Sequence, residues 1–228
     1  MVVVYTQKMK KQLATKISGI LRRLNEKGQK IVTEEQLAKL LGVSRTPVRE
    51  ALQGLEKEGF LVRLRRKGIS INKPSLKEIT EIHDLRALLE GYAGRLFAEK
   101  KINGADLKEL EKLAVRHEKA LTQADGAAAE MLDELFHGKI AQLSGNSFLL
   151  RILGHFNILH RTFQISYALQ LYPRIEDSPY THRKIIEILR GCDPDECERI
   201  LWSHVQWAKQ RWIEMVLDTK VNHVAGRG

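Results

Sequence analysis

Between Thr33 and Gly59 the chain carries two short helical patterns separated by one tight turn, and this spacing constrains the fold more than any other feature. Thr33 followed by Gln36 is a capping-box signature, and the helix it opens ends at Leu41-Gly42. Ser44 is placed to cap the next helix. Pro47 falls in that helix's first turn, where a missing N–H costs nothing, and Glu58-Gly59 ends it. Ala38 is small where the two helices would cross, and Gly42 occupies the turn, where a positive φ is often needed. Leu37, Leu41, Val43, Val48, Ala51, Leu52 and Leu55 give the pair a shared apolar face. The pattern is that of a helix-turn-helix.

The flanking segments extend the motif. Leu13, Ile17, Ile20, Leu21 and Leu24 recur at helical spacing over residues 7–26, and Gly28 is the stop. After Gly59, residues 60–65 and 69–72 form two alternating runs around Arg66-Lys67-Gly68, the pattern of a β-hairpin or wing. Lys73-Pro74-Ser75 reads as a linker. Beyond it the periodicity is helical throughout, with helices near 76–100, 104–123, 126–143, 147–171, 179–190 and 194–217. Asp193, Pro194 and Glu196 supply the cap, first position and third position of the last one. The expected fold is mostly α: an N-terminal winged helix-turn-helix domain (1–74), a C-terminal antiparallel all-helical bundle (75–219) and a flexible tail (220–228).

Charge separates the two parts. Residues 1–74 hold 17 Lys/Arg against 6 Asp/Glu, while the rest of the chain is close to neutral. A basic module beside a neutral one suggests that the first meets a polyanion and the second does something else. A solvated basic surface with no partner would leave the same totals. On the second helix of the motif, Ser44, Arg45, Thr46, Arg49 and Gln53 fall opposite the apolar face, in the turns that usually meet base edges. Arginine can pair bidentately with guanine, and Thr or Gln can add a base or phosphate contact. The hairpin tip, Arg65, Arg66, Lys67 and Gly68, would lie along a phosphate backbone or reach a minor groove. Double-stranded DNA is the expected partner.

The run Leu41-Gly42-Val43-Ser44-Arg45-Thr46-Pro47-Val48-Arg49-Glu50-Ala51-Leu52, with Leu55, Glu58-Gly59-Phe60-Leu61 and Gly68, resembles the signature of the GntR family of bacterial regulators over roughly residues 10–73. One departure lies upstream, where the family often has Pro-Gly and this chain has Lys27-Gly28. The resemblance implies a transcriptional regulator, with repression as the default direction, that binds a palindromic operator as a homodimer.

In the helical part, Asp133 and His137 stand four apart and share a helix face. His182 lies ten residues before Cys192 and His204 twelve after it. In a helical hairpin turning near Cys192, the two would be level to within about 3 Å along the axis. One carboxylate and three imidazoles converging inside a bundle would suit a divalent transition metal such as Zn²⁺ or Ni²⁺. Buried hydrogen-bonded or surface histidines would show the same spacing, and His83, His117, His155, His160 and His223 have no such arrangement.

Asp133-x-x-Phe136-His137, Ile140, Ser144-Gly145-Asn146, His182 and His204 are similar to the effector domain of the FadR-type (FCD) branch of the same family, and six helices would place the chain nearer its VanR-like subgroup. That resemblance implies a metal held by Asp133, His137, His182 and His204, and a small carboxylate effector on its open positions. It also implies a pocket-facing Arg86 that could bind the effector; a surface ion pair with Glu90 is the other reading of Arg86. A second function class is a metal-dependent hydrolase with a nucleic-acid-targeting domain. It lacks a His-Glu-x-x-His motif, and Glu134 should point away from the ligands. A third is a structural nucleoid-type binder whose helical part only dimerises.

No apolar run approaches the ~20 residues of a membrane span, and Met1–Tyr5 is too short for a signal-peptide core. With two cysteines expected to stay reduced, the expected location is the cytoplasm.

Overall fold

The computed structural model describes residues 7–29, 31–65, 67–100, 104–166 and 178–225. It divides into two compact units: Met1–Pro74 with Ile158–Leu169, and Ser75–Asn157 with Gln170–Gly228.

The first unit is built on α1 (Gln7–Glu26), α2 (Glu34–Leu41) and α3 (Arg45–Lys57), followed by the antiparallel strands β1 (Leu61–Leu64) and β2 (Gly68–Ile71). Thr33 and Gln36 form the expected capping box, and Gly42 closes α2 in the left-handed region at φ 65°. Leu13, Ile17 and Leu21 of α1 pack with Leu37, Val48, Leu52 and Leu55, and the hairpin adds Phe60, Leu61, Ile69 and Ile71 to the same core.

Two details differ from expectation. Ser44 occupies the N-cap of α3, yet its side chain makes no capping hydrogen bond. The wing is wider than a hairpin, because Val32 and Ile69 form an antiparallel bridge with paired backbone hydrogen bonds of 2.9 and 2.8 Å. That bridge gives Gly68 a structural reason: at φ 119° a Cβ there would lie 2.5 Å from the Val32 carbonyl oxygen.

The second unit contains α4 (Leu76–Glu99), α5 (Gly104–Thr122), α6 (Gly126–Leu143), the first part of α7 (Ser147–Ser166), whose residues from Ile158 on belong to the first unit, α8 (His182–Gly191) and α9 (Pro194–Ala225). The expected helix at 179–190 begins three residues later because Thr181 caps it, its side chain accepting from Lys184 N–H. Residues 167–171, also expected to be helical, lie outside the described residues. α9 continues through Ala225, across most of the segment expected to be a tail, since no Gly or Pro intervenes before Gly226. Asp193 accepts from Glu196 N–H as the cap of α9, and Cys192 turns the α8–α9 hairpin at φ 54°.

Phe97, Leu110, Phe136, Ile140, Ile185, Leu189 and Leu201 are the large side chains sealed in this core. α4 and α9 approach most closely where α4 has no side chains. A Cβ on Gly94 would lie 2.6 Å from the Cys197 carbonyl oxygen, and one on Gly91 would lie 3.1 Å from that of Glu198. Gly94→Ala is therefore expected to destabilise the unit by about 1–3 kcal/mol through overpacking. Gly154→Ala, where a Cβ meets nothing within 4 Å, should be neutral or stabilising by up to about 1 kcal/mol. Urea midpoints of the two variants check this, and equal midpoints would contradict the close approach.

Candidate nucleic-acid interface and candidate metal centre

α3 buries Pro47, Val48, Ala51, Leu52 and Leu55 and leaves Ser44, Arg45, Thr46, Arg49 and Gln53 exposed on its other side. Arg65 and Lys67 are exposed at the hairpin turn, while Arg66 lies outside the described residues. Gly68 begins β2. An acidic residue that the sequence reading passed over sits among these cations. Glu34, the first residue of α2, accepts from Arg49 Nε at 3.1 Å and from Arg63 Nη1 at 2.9 Å, and Arg45 Nη2 is 3.9 Å away. Arg63 also donates to Glu56 at 3.0 Å. Partial burial would raise the Glu34 carboxyl, but the hydrogen bonds from Arg63 and Arg49 overcome it and hold it below the usual range.

In the helical unit, Asp133 and His137 come from α6, His182 from the first position of α8, and His204 from α9. The four offer ligand atoms that all lie within 4.8 Å of one another. All three imidazoles are buried, and the Asp133 side chain is 16% exposed. His137 Nε2 and His182 Nε2 lie 3.6 and 3.2 Å from Asp133 Oδ1. Phe136 stacks on the His182 ring at 4.0 Å between centroids.

The tautomers follow from the outer partners. His204 Nδ1 is 2.6 Å from the Tyr180 carbonyl. A carbonyl only accepts, so Nδ1 carries the hydrogen and Nε2 turns a lone pair inward. His137 Nδ1 lies 2.5 Å from Glu90 Oε2, without hydrogen-bond alignment, and at that distance from a carboxylate oxygen, which only accepts, Nδ1 carries the hydrogen. Neutral His137 therefore also presents Nε2, which stands 3.2 Å from His204 Nε2. Two lone pairs at that distance repel unless a cation lies between them. Without a metal, a proton takes that role. Burial alone would push His137 down, but Glu90 and Asp133 hold it up at about 9. Burial pushes His182 down to about 4 and His204 down to about 3, with neighbouring charged imidazole adding to the effect. His182 Nδ1 is buried with no hydrogen-bond partner among the described residues, and its Nε2 lacks hydrogen-bond alignment with Asp133. An Asp/His₃ donor set with inward lone pairs fits a borderline divalent metal.

Arg86 has the expected partner, Glu90, but not the expected surface placement. Its Nε donates to Glu90 Oε1 at 2.5 Å, and both side chains are buried, so this is no surface pair. Arg86, Glu90 and His137 thus form one line running into the cluster. Burial would raise the Glu90 carboxyl, but Arg86 and His137 hold it down at about 2. Glu90 was missed because it reaches His137 only through packing of α4 on α6. His117 was missed for the same reason: its ring, on α5, lies 4.5 Å from that of His182.

The titration directions predict how the metal-free protein responds to pH. Above the ordinary histidine value of about 6.5, folded His137 keeps a proton that the unfolded chain has lost, and this stabilisation fades as pH rises through about 9. Below that value the unfolded chain takes up protons that folded His182, His204 and His83 (pushed down to about 4 by burial) refuse. Stability should therefore peak near neutrality and fall on both sides. Urea midpoints at pH 5, 6.5 and 9 measure this, and a flat profile would show that these groups titrate freely.

Two family models match the chain: "Bacterial regulatory proteins, gntR family" over residues 11–71 and "FCD domain" over residues 81–206. Among curated proteins, the chain is 33% identical to the HTH-type transcriptional regulator YdhC of Bacillus subtilis over 178 residues, 76% of this chain and 77% of that one. It is 30% identical to a probable D-xylose utilization operon transcriptional repressor of Paenarthrobacter nicotinovorans, over 76% of this chain and 75% of that one. Among solved structures, E. coli McbR/YncC shares the fold with a TM-score of 0.70 at 21% identity, covering 91% of this chain and 98% of that one.

Proposed function

Because this chain belongs to the GntR family of bacterial regulatory proteins, with an FCD domain behind its helix-turn-helix domain, we propose that it is a repressor whose operator binding is set by a small carboxylate at a metal-dependent site. As a member of this family it is a transcriptional regulator and not an enzyme, and the hydrolase reading has no support. It binds DNA through its N-terminal domain and an effector through its FCD domain. Repression agrees with the printed name of the Paenarthrobacter relative.

On the DNA side, Arg45 and Arg49 read base edges from the start of α3, with Thr46 and Gln53 beside them. Ser44, Arg65, Arg66 and Lys67 meet phosphates. The Ser44 hydroxyl, not used in capping, supports that role. Gly68 serves the wing's shape by allowing its approach to Val32.

On the effector side, the observation that carries the reading is the convergence of Asp133, His137, His182 and His204 within 4.8 Å. These four residues would hold a divalent metal such as zinc or nickel, which when bound would act as the Lewis-acidic point of attachment for a carboxylate. Glu90 fixes the ring orientation of His137, and the Tyr180 carbonyl fixes that of His204. The buried pair with Glu90 favours a supporting role for Arg86, through Glu90, over direct pairing with an effector. A homodimer is supported by the exposed apolar stripe of Leu85, Leu88 and Tyr92 on α4. Among the described residues no helix is long and apolar enough to cross a membrane, and the site of action is the cytoplasm, where the DNA is.

Two measurements test the two halves. Operator fragments selected from random DNA by the wild-type protein should lose specific binding to the Arg45→Ala/Arg49→Ala double variant. Unchanged operator affinity would overturn the assignment of the recognition face. For the metal site, His182→Ala should abolish stoichiometric zinc or nickel retention, and Glu90→Gln should weaken metal affinity by roughly 10–100-fold, the usual cost of losing an outer partner. Normal metal content in His182→Ala would remove the site.

A further inference from the structure

Glu34 is one of only six acidic residues in the first 74, and it stands among the arginines that would read DNA. Its side chain is 12% exposed, whereas those of Arg45 and Arg49 are 61% and 55% exposed. The carboxylate takes hydrogen bonds from two different elements: Oε2 from Arg49 on α3, and Oε1 from Arg63 on β1. One side chain at the start of α2 thereby ties the recognition helix to the wing.

Which nitrogens are used matters. Glu34 engages Arg49 through Nε, and among the described residues the two terminal nitrogens of Arg49 make no other ion pair. A guanidinium presents its donors in a rigid planar fork. Held by Nε at its base, it keeps the Nη1/Nη2 edge aimed outward, the edge needed for a bidentate contact with guanine O6 and N7. A free arginine in that position would reach phosphates in many orientations, and phosphate contacts carry no sequence information. The carboxylate also repels the phosphate backbone, a cost that random DNA meets in full and that a well-matched base contact offsets.

We propose that Glu34 is a specificity-determining positioning residue: it aims Arg49 at the base edge, couples it to Arg63 of the wing, and suppresses binding to non-operator DNA. This rests on the reading of Arg45 and Arg49 as the DNA-contacting residues. Glu34 itself touches no base. Its effect is read in how much better the protein binds its operator than random sequence.

Glu34→Gln keeps the size of the side chain and removes its charge. Glu35→Gln is the matched control: Glu35 is the exposed next residue in the same first turn of α2, and it forms no ion pair among the described residues. Both substitutions add the same net charge and remove the same kind of helix-terminus interaction. The full-length variants are titrated with an operator fragment selected by the wild-type protein and with a random duplex of equal length, over a series of salt concentrations.

Glu34→Gln is expected to bind the random duplex more tightly than wild type, with a salt slope steeper by about one, as the freed guanidinium takes a phosphate. Its operator-to-random ratio should fall on the order of ten-fold, the scale of one bidentate base contact. Glu35→Gln should keep the wild-type ratio. Equal ratios and slopes for the two variants would overturn the proposal. So would a fall of both specific and random binding in Glu34→Gln together with a lower melting temperature, which is the signature of a merely structural residue. Arg49→Ala in the same assay separates the two claims. If it retains operator affinity, the recognition-face reading fails and this proposal with it; if it loses affinity while Glu34→Gln matches Glu35→Gln, only the role of Glu34 fails.

Discussion

The contact of α4 with α9 at Gly91 and Gly94 is the constraint on which the rest of the helical unit depends. With no Cβ at either position, backbone packs on backbone, and α9 cannot slide along α4 without driving Cys197 or Glu198 into the glycines. That contact places Glu90, one residue before Gly91, at the level of the histidine cluster. It also sets the line of α9 along which His204 projects about one turn after Ile200. α6 and α8 then supply Asp133, His137 and His182 against a framework that is already fixed. Burying this many ionisable groups is expensive. Pairing offsets part of that cost: Arg86 with Glu90, Glu90 with His137, His182 beside Asp133. An apolar core would be a cheaper route to stability, so the cluster points to binding rather than to holding the fold.

How much of this was legible in the sequence depended on whether the signal was local. Thr33 with Gln36, Gly42, Gly59 and Asp193-Pro194 act over three or four residues, and each was found where it was expected. The Asp133/His137 pair was visible because helix periodicity alone puts both on one face. The level placement of His182 and His204 followed from counting outward from a recognisable turn. Glu90 and His117 carried no such mark, since each meets the cluster only because one helix packs on another. Arg86 lies between these cases: its pairing with Glu90 four residues on is local and was foreseen, but its burial is tertiary and was not. The same limit applies to the first unit. The hairpin was readable from alternation, whereas the bridge from Val32 to Ile69 joins residues 37 apart in sequence. Ser44 shows the opposite failure, a correct local position whose hydroxyl is not used for capping.

Electrostatics is used in two different ways in the two units. A net charge of +11 over 74 residues establishes only that the first module repels itself and attracts polyanions. It does not reveal that scarce acidic residues, Glu34 and Glu56, stand against the arginines of the exposed face. The arginines of these pairs are about half-exposed while Glu34 is only 12% exposed, so the pairs are organised from the carboxylate side. The surface can therefore be organised before DNA binds.

The buried cluster behaves differently. Its charges are screened little by salt, and none can be withdrawn without leaving a partner uncompensated. Two inward-facing imidazole nitrogens 3.2 Å apart need a positive charge between them, whether proton or metal. The cluster is therefore shielded from the ionic strength that governs the exposed charges of the first unit. A regulator needs this separation. The exposed, salt-screened charges of the first unit and the buried, mutually compensated charges of the second answer to different variables.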